Sequence, residues 1–250
     1  MDWSPLEVVL WGDYACFTRP EMKVERVSYP IMTPSAARGA LEAIYRKPEF
    51  HWEVREIHAL KPVQWFSIKR NEVSSKISYS AAKGWRQPRD GYFADADRTQ
   101  RAGLLLRDVR YLVKADIILR PHADKDIAAY RDQFRRRVAK GACFHRPCLG
   151  CREFSANFAE PTIDDTPCDW TEDLGRMLFD IDFDPPVKEH LKRGTKEIFD
   201  GERKNTQKSF KCPGTGSPVF FDAKIEEGVM SIPEAEYTKL RWTREGEGWE

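Results

Sequence analysis

The chain has 250 residues, of which 41% are hydrophobic and 32% charged, and its formal net charge is +1. That length holds one large domain, or one domain with a small appendage, and the composition is ordinary for a globular protein. Net charge alone points to no partner, no segment approaches the ~20 apolar residues of a membrane helix, and six dispersed cysteines imply no disulfide framework.

Met1 to Leu10 lacks a basic flank before an apolar run, so no signal peptide is expected, and the cysteine usage fits a reducing, cytoplasmic compartment. Val8 to Trp11, leading into Gly12, reads as a short buried strand. Thr33-Pro34 marks a helix start, a capping hydroxyl followed by proline at the first helical position. Ala37, Leu41, Ile44 and Tyr45 recur at helical spacing, and Pro48 stops the run. Trp52 to Leu60 and Val63 to Ile68 read as strands around a Lys61-Pro62 break. Residues 71–103 have weak periodicity and suggest a long hairpin or loop. Val109, Tyr111, Val113, Ala115, Ile117 and Leu119 alternate with mostly polar neighbours, as in a strand with one buried face. Ile127, Tyr130, Phe134 and Val138 mark a second amphipathic helix that closes near Gly141. Arg152 to Phe158 is expected to be a further strand.

This order, β-α-β, an insertion, then β-α-β, predicts an α+β fold of the ferredoxin-like (RRM-like) βαββαβ type with an inserted hairpin, in residues 1–160. Residues 161–250 are expected to hold a linker and a small C-terminal antiparallel β domain with a polar insertion at 185–217. Within it, Met177 to Phe183 reads as a strand. Pro218 to Ile225 and Val229 to Ile232 read as a hairpin through Glu226-Glu227-Gly228, and the last ~18 residues as a fraying tail.

Charge is distributed in blocks. Residues 131–152 carry Arg131, Arg135, Arg136, Arg137, Lys140, Arg146 and Arg152 against Asp132, whereas residues 159–184 carry nine acids against Arg176. Such a pair of blocks suits a polyanion on one face, and a solvated helix face is the plainer alternative. Cys148-Leu149-Gly150-Cys151 is a CxxC with Cys143 and His145 upstream. Without a second CxxC it reads better as small residues at a strand entrance than as a zinc site. Asp180, Asp182 and Asp184 alternate and are expected on a solvated strand face. No Walker loop and no G-x-G-x-x-G is present, and the five histidines form no metal-binding array. RNA cleavage needs neither cofactor nor metal cluster. The 2′-hydroxyl is the nucleophile, and Tyr, His and Lys can align it, take its proton and stabilise the charged transition state. Tyr45, followed by Arg46 and Lys47 at a helix end, can sit against a phosphate. It also continues the apolar stripe, so core packing is the competing reading.

Trp11-Gly12-Asp13-Tyr14-Ala15-Cys16-Phe17, Pro34-Ser35-Ala36-Ala37-Arg38-Gly39 and Glu42-Ala43-Ile44-Tyr45-Arg46-Lys47-Pro48 resemble the fifth CRISPR-associated family in its subtype I-C form. So do Arg70-Asn71-Glu72-Val73, Leu106-Arg107-Asp108-Val109, Cys148-Leu149-Gly150-Cys151-Arg152-Glu153-Phe154, and Asp173-Leu174-Gly175 with Met177-Leu178. The matches run in order from about residue 6 to 184. The resemblance implies cutting of CRISPR repeat RNA without metal or other cofactor, leaving a 2′,3′-cyclic phosphate. It implies that the protein then stays on the 5′ handle of the guide RNA, beside the backbone and large subunits of a DNA-surveillance complex, with target DNA met indirectly and no membrane partner.

The family's catalytic set is a first-helix tyrosine, matched by Tyr45, and a Lys-His or Lys-Tyr pair opening the second helix, which here falls on Ala129-Tyr130. With the lysine absent, His122 and Lys125 are the substitutes at hand. The alternative is a non-catalytic cap on the guide RNA. Arg38, Arg46, Lys47, Arg70, Lys76, Arg101, Arg135, Arg136, Arg137 and Arg152 are the expected RNA contacts.

Overall fold

A computed structural model describes residues 4–22, 24–75, 77–84, 91–183 and 216–243. Lys76, Asp184 and nearly all of the expected insertion at 185–217 lie outside the described residues. The chain is a mixed α/β protein dominated by antiparallel strands. In order they are β1 (Leu6–Ala15), β2 (Arg26–Val27), α1 (Pro34–Ile44), β3 (Phe50–Ala59), β4 (Trp65–Val73), α2 (Tyr79–Gly84), β5 (Arg98–Leu119), α3 (Ile127–Ala139), β6 (Asn157–Ala159), β7 (Glu172–Phe183), β8 (Gly216–Ile225) and β9 (Val229–Ser231). Two 3-10 turns, Glu234–Lys239 and Arg241–Thr243, follow.

The main sheet runs β6-β1-β5-β3-β9, and β2 and β4 pair with the first half of β5. Leu10, Tyr111 and Ala59 share one row across three strands, as do Val8, Val113 and Ile57. These rows face a buried core, because alternate residues of a strand point to the same side. Both helices complete that core. Thr33 caps α1, its hydroxyl accepting from Ala36 N–H at 3.2 Å, and proline stands at the first helical position. The small residues Ala37, Ala40 and Ala43 bring α1 close to β3 and β7. Asp126 caps α3, which lays Tyr130, Phe134 and Val138 into the core.

Residues 71–103, expected as a long hairpin or loop, hold the hairpin of β4 and β5, with β5 beginning at Arg98. Four sequence expectations need correction. Residues 152–156 form a turn rather than a strand, and only Asn157–Ala159 pairs with β1. Gly150 has φ +83, and a Cβ there would meet the Cys16 carbonyl oxygen at 2.0 Å, so this turn packs directly on the end of β1. β7 starts at Glu172, inside the presumed linker. The Glu226–Gly228 turn exists, with Glu226 N–H donating to the Val229 carbonyl at 3.0 Å, but its flanking strands go to different sheets: β8 pairs with β7 and β9 with β3. Finally, residues 233–243 do not fray. They bury Tyr237, Leu240 and Trp242, and the Tyr237 hydroxyl bridges the Val54 backbone.

Candidate active site

The end of α1 and the start of β3 make a short reversal, residues 45–50, on which three of the four expected catalytic side chains converge. Tyr45 is the C-cap of α1, 4% exposed, with its N–H donating to the Leu41 carbonyl. Its ring lies 5.3 Å from that of Phe50, and the Arg137 guanidinium sits 5.3 Å above it. Arg137 also donates to the Ile44 carbonyl at 3.0 Å, so it closes the C-terminus of α1 while covering the tyrosine. The buried Trp52 indole donates to the Tyr45 carbonyl at 2.9 Å. On the other side of Phe50, Tyr130 approaches edge-on at 5.5 Å, and its hydroxyl donates to Asp124 at 2.6 Å. His122 is exposed and its Nε2 is 3.1 Å from the Pro48 carbonyl. A carbonyl only accepts, so Nε2 carries the proton and Nδ1 is left as an acceptor. Lys125 is exposed beside Asp124.

The electrostatics separate these groups by role. Burial pushes the Tyr45 hydroxyl up from its ordinary value, with Arg137 opposing. Tyr130 is pushed up to about 12, chiefly because it donates to Asp124. Both phenols therefore stay protonated at neutral pH, Tyr130 with its hydrogen committed to Asp124. A neutral tyrosine hydroxyl can donate to a phosphate oxygen or orient a 2′-hydroxyl.

The expected RNA contacts do not form one surface. Arg46 and Lys47 are exposed on the same reversal as Tyr45. Arg38 is engaged with protein: its guanidinium donates twice to Asp180, at 2.7 and 2.9 Å, and once to Glu42 at 2.7 Å. This overturns the solvated aspartate face, since Asp180 and Asp182 are 2% and 8% exposed and Asp182 holds Arg241 at 2.7 Å. Arg135 and Arg136 are exposed on the outer side of α3, and Arg152 is exposed in the turn before β6. Arg131, in the same basic block, is buried and donates to the Ser4 carbonyl. Arg70 and Arg101 lie on the β4–β5 arm, where Arg70 pairs with Glu153 and Glu72, and Arg101 with Glu72. Cys151 of the CxxC turn lies beside Cys16, Thr18 and Arg26 rather than at the end of a strand.

Beside the reversal is an open cavity of about 610 Å³. Arg120, His51, Phe144, Phe183 and Trp242 line it together with Arg38, Arg46 and Lys47. These five come from separate elements, and no spacing in the sequence brings them together.

Comparison with known proteins follows the same boundaries. The Cas5d model of the CRISPR-associated protein Cas5 family matches residues 6–197. A Thermus thermophilus protein named CRISPR pre-crRNA endoribonuclease Cas5d is 43% identical over 249 residues, 96% of each chain. A Mannheimia succiniciproducens protein of the same name is 41% identical over 239 residues, covering 90% of this chain and 92% of its own. Among solved structures, a CRISPR-associated protein superposes with a TM-score of 0.58 at 20% identity, covering 93% of this chain and 94% of its own. The uncharacterized protein SMU1763c from Streptococcus mutans superposes with a TM-score of 0.55 at 18% identity, over 91% of each chain.

Proposed function

Since the chain belongs to the Cas5d branch of the CRISPR-associated Cas5 family, we propose that it is a pre-crRNA endoribonuclease that cuts CRISPR repeat RNA. The observation that carries this reading is near full-length identity of 41–43% to two relatives bearing that name. The Tyr45 reversal supports it, because a neutral tyrosine, an exposed imidazole and exposed cations meet there.

The reaction requires no group beyond the RNA and these side chains. His122 Nδ1 takes the proton of the 2′-hydroxyl, whose oxygen attacks the adjacent phosphorus as the bond from phosphorus to the 5′-oxygen breaks, and the Lys125 ammonium or solvent water protonates the leaving 5′-oxygen. The products are a 2′,3′-cyclic phosphate and a 5′-hydroxyl. Tyr45 donates to a phosphate oxygen, Tyr130 holds Asp124 beside the site, and Arg46 and Lys47 balance the phosphate charge. After cutting, the protein holds the 5′ handle and joins the backbone and large subunits of a surveillance complex. The strand order β6-β1-β5-β3 with α1 and α3 supports a ferredoxin-like reading of residues 1–160. Residues 161–250 then form the small β appendage.

A second reading, a guide-RNA cap without activity, is favoured by Ala129, an exposed alanine in the first turn of α3. Incubating the cognate repeat hairpin with the protein in excess EDTA separates the two. Cleavage with a cyclic-phosphate end supports the enzyme, and cutting that needs added magnesium sinks the proposed chemistry. Tight binding without cutting in any buffer leaves the cap, and restoration of cutting by Ala129→Lys would show which group was missing.

A further inference from the structure

The cavity beside Tyr45 shares Arg46 and Lys47 with the catalytic reading and adds groups which that reading leaves unused, Arg120, His51, Phe144 and Trp242. Arg46, Lys47 and Arg120 stand on one side of it. Arg120 is half-buried, and its Nε has no hydrogen-bond partner among the described residues. Burial and the neighbouring Arg46 push the Arg120 guanidinium below its ordinary value, the signature of cations crowded with too little negative charge between them. The other side is aromatic. Trp242 is buried in the cavity wall with the Arg38 guanidinium 4.6 Å over its ring, and Phe144 stands 76% exposed among the lining residues. His51, 9% exposed, meets Trp242 edge-on at 5.9 Å. Its Nε2 is 3.3 Å from Glu53, an acceptor, so Nε2 carries the proton, while Nδ1 is buried and has no partner among the described residues.

We propose that this cavity takes one unpaired nucleotide of the bound RNA. Its base stacks on the exposed Phe144 ring, and its phosphate rests on Arg46 and Arg120. The volume suits a ligand of that size, within the range of small-molecule sites. Aromatic stacking on a cationic rim is how proteins hold single-stranded nucleic acid. The proposal rests on the reading of the chain as a repeat-RNA enzyme, and it adds a specificity subsite to that enzyme.

The test uses the full chain and cognate repeat RNA carrying 2-aminopurine at each unpaired position in turn. At one position, binding should quench the fluorophore several-fold. Phe144→Ala should relieve that quenching and weaken binding by about 10-fold, within the range for one stacked base. Phe144 is exposed, so this variant should melt like the wild type. Arg46→Gln with Arg120→Gln should weaken binding and lower the salt slope by roughly 0.7, one phosphate of a single strand. If the wild type binds and cuts repeat RNA but no position is quenched, and these variants bind as tightly as it does, the subsite is refuted while the enzymatic reading stands. If the wild type binds no repeat RNA at all, the functional reading itself fails.

Discussion

At the scale of single residues, Tyr45 shows how core and chemistry share one side chain. Its ring packs on Phe50 under Arg137, and its hydroxyl is kept protonated by burial. Tyr45→Phe preserves the packing and removes the donor. Single-turnover cleavage should therefore fall by about 10²-fold with unchanged melting temperature and RNA affinity. Tyr45→Ala should instead unfold the reversal, at a cost of about 3–5 kcal/mol. A Phe variant that cuts at the wild-type rate would confine Tyr45 to packing. Cys151 makes a second residue-scale case. The Cys16 thiol, Thr18 and Arg26 (its guanidinium 3.5 Å from the sulfur) hold Cys151 down to about 6, while Cys16 itself is pushed up. A depressed thiol is mostly thiolate above its own value, so iodoacetamide should label Cys151 with a rate that plateaus above about pH 6 and leave Cys16 unlabelled at pH 7. Mass spectrometry of the peptides reads this directly, and labelling of Cys16 first would contradict it. The position of Tyr45 was legible from the proline stops and the apolar stripe. The surroundings of Cys151 were not, because Cys16, Thr18 and Arg26 reach it across more than a hundred residues of chain.

At the scale of elements, the sequence patterns located helices and strands well and their partners poorly. Thr33-Pro34 marked the start of α1, and the 109–119 alternation marked the central strand, because both signals are local. The Glu226–Gly228 turn was also legible, but turn chemistry says nothing about which sheet each flanking strand joins. The aspartates of β7 were misplaced for a related reason. Alternation identifies a shared face but not what covers it, and here α1 covers it with Arg38. That pairing has a measurable consequence. Asp180 is buried, so Arg38→Met strands a charge between α1 and β7 and should destabilise the fold by about 3–5 kcal/mol. Arg38→Met combined with Asp180→Leu removes both charges and should recover most of the loss, as followed by thermal melting. A double variant no more stable than the single one would show that the pair is not what joins the two elements. Any RNA-binding defect of Arg38→Met must then be judged beside its stability.

At the scale of the whole molecule, the two charge blocks resolve differently. The buried part of the acidic block is satisfied internally, with Asp165 holding Arg110, Asp180 holding Arg38 and Asp182 holding Arg241. The basic block is split by the helix that carries it. Arg131 is buried, Arg137 is committed to Ile44 and Tyr45, and Arg135 and Arg136 face outward. A block read from sequence cannot show this, since helical geometry sends neighbouring residues to different faces. Arg101 and the Tyr45 reversal also lie near opposite ends of β5. RNA that contacts both must follow much of that strand, so its affinity should depend strongly on salt. Arg135→Glu with Arg136→Glu should lower the slope of log K against log salt by roughly 1.4, two single-strand phosphates, with little change in melting temperature. Arg137→Glu should behave differently, lowering both cleavage and melting temperature, because it uncovers Tyr45 and the end of α1. If the double variant keeps the wild-type slope, the outer face of α3 belongs to solvent or to a protein subunit, and the RNA path lies over the Arg46 side of the molecule.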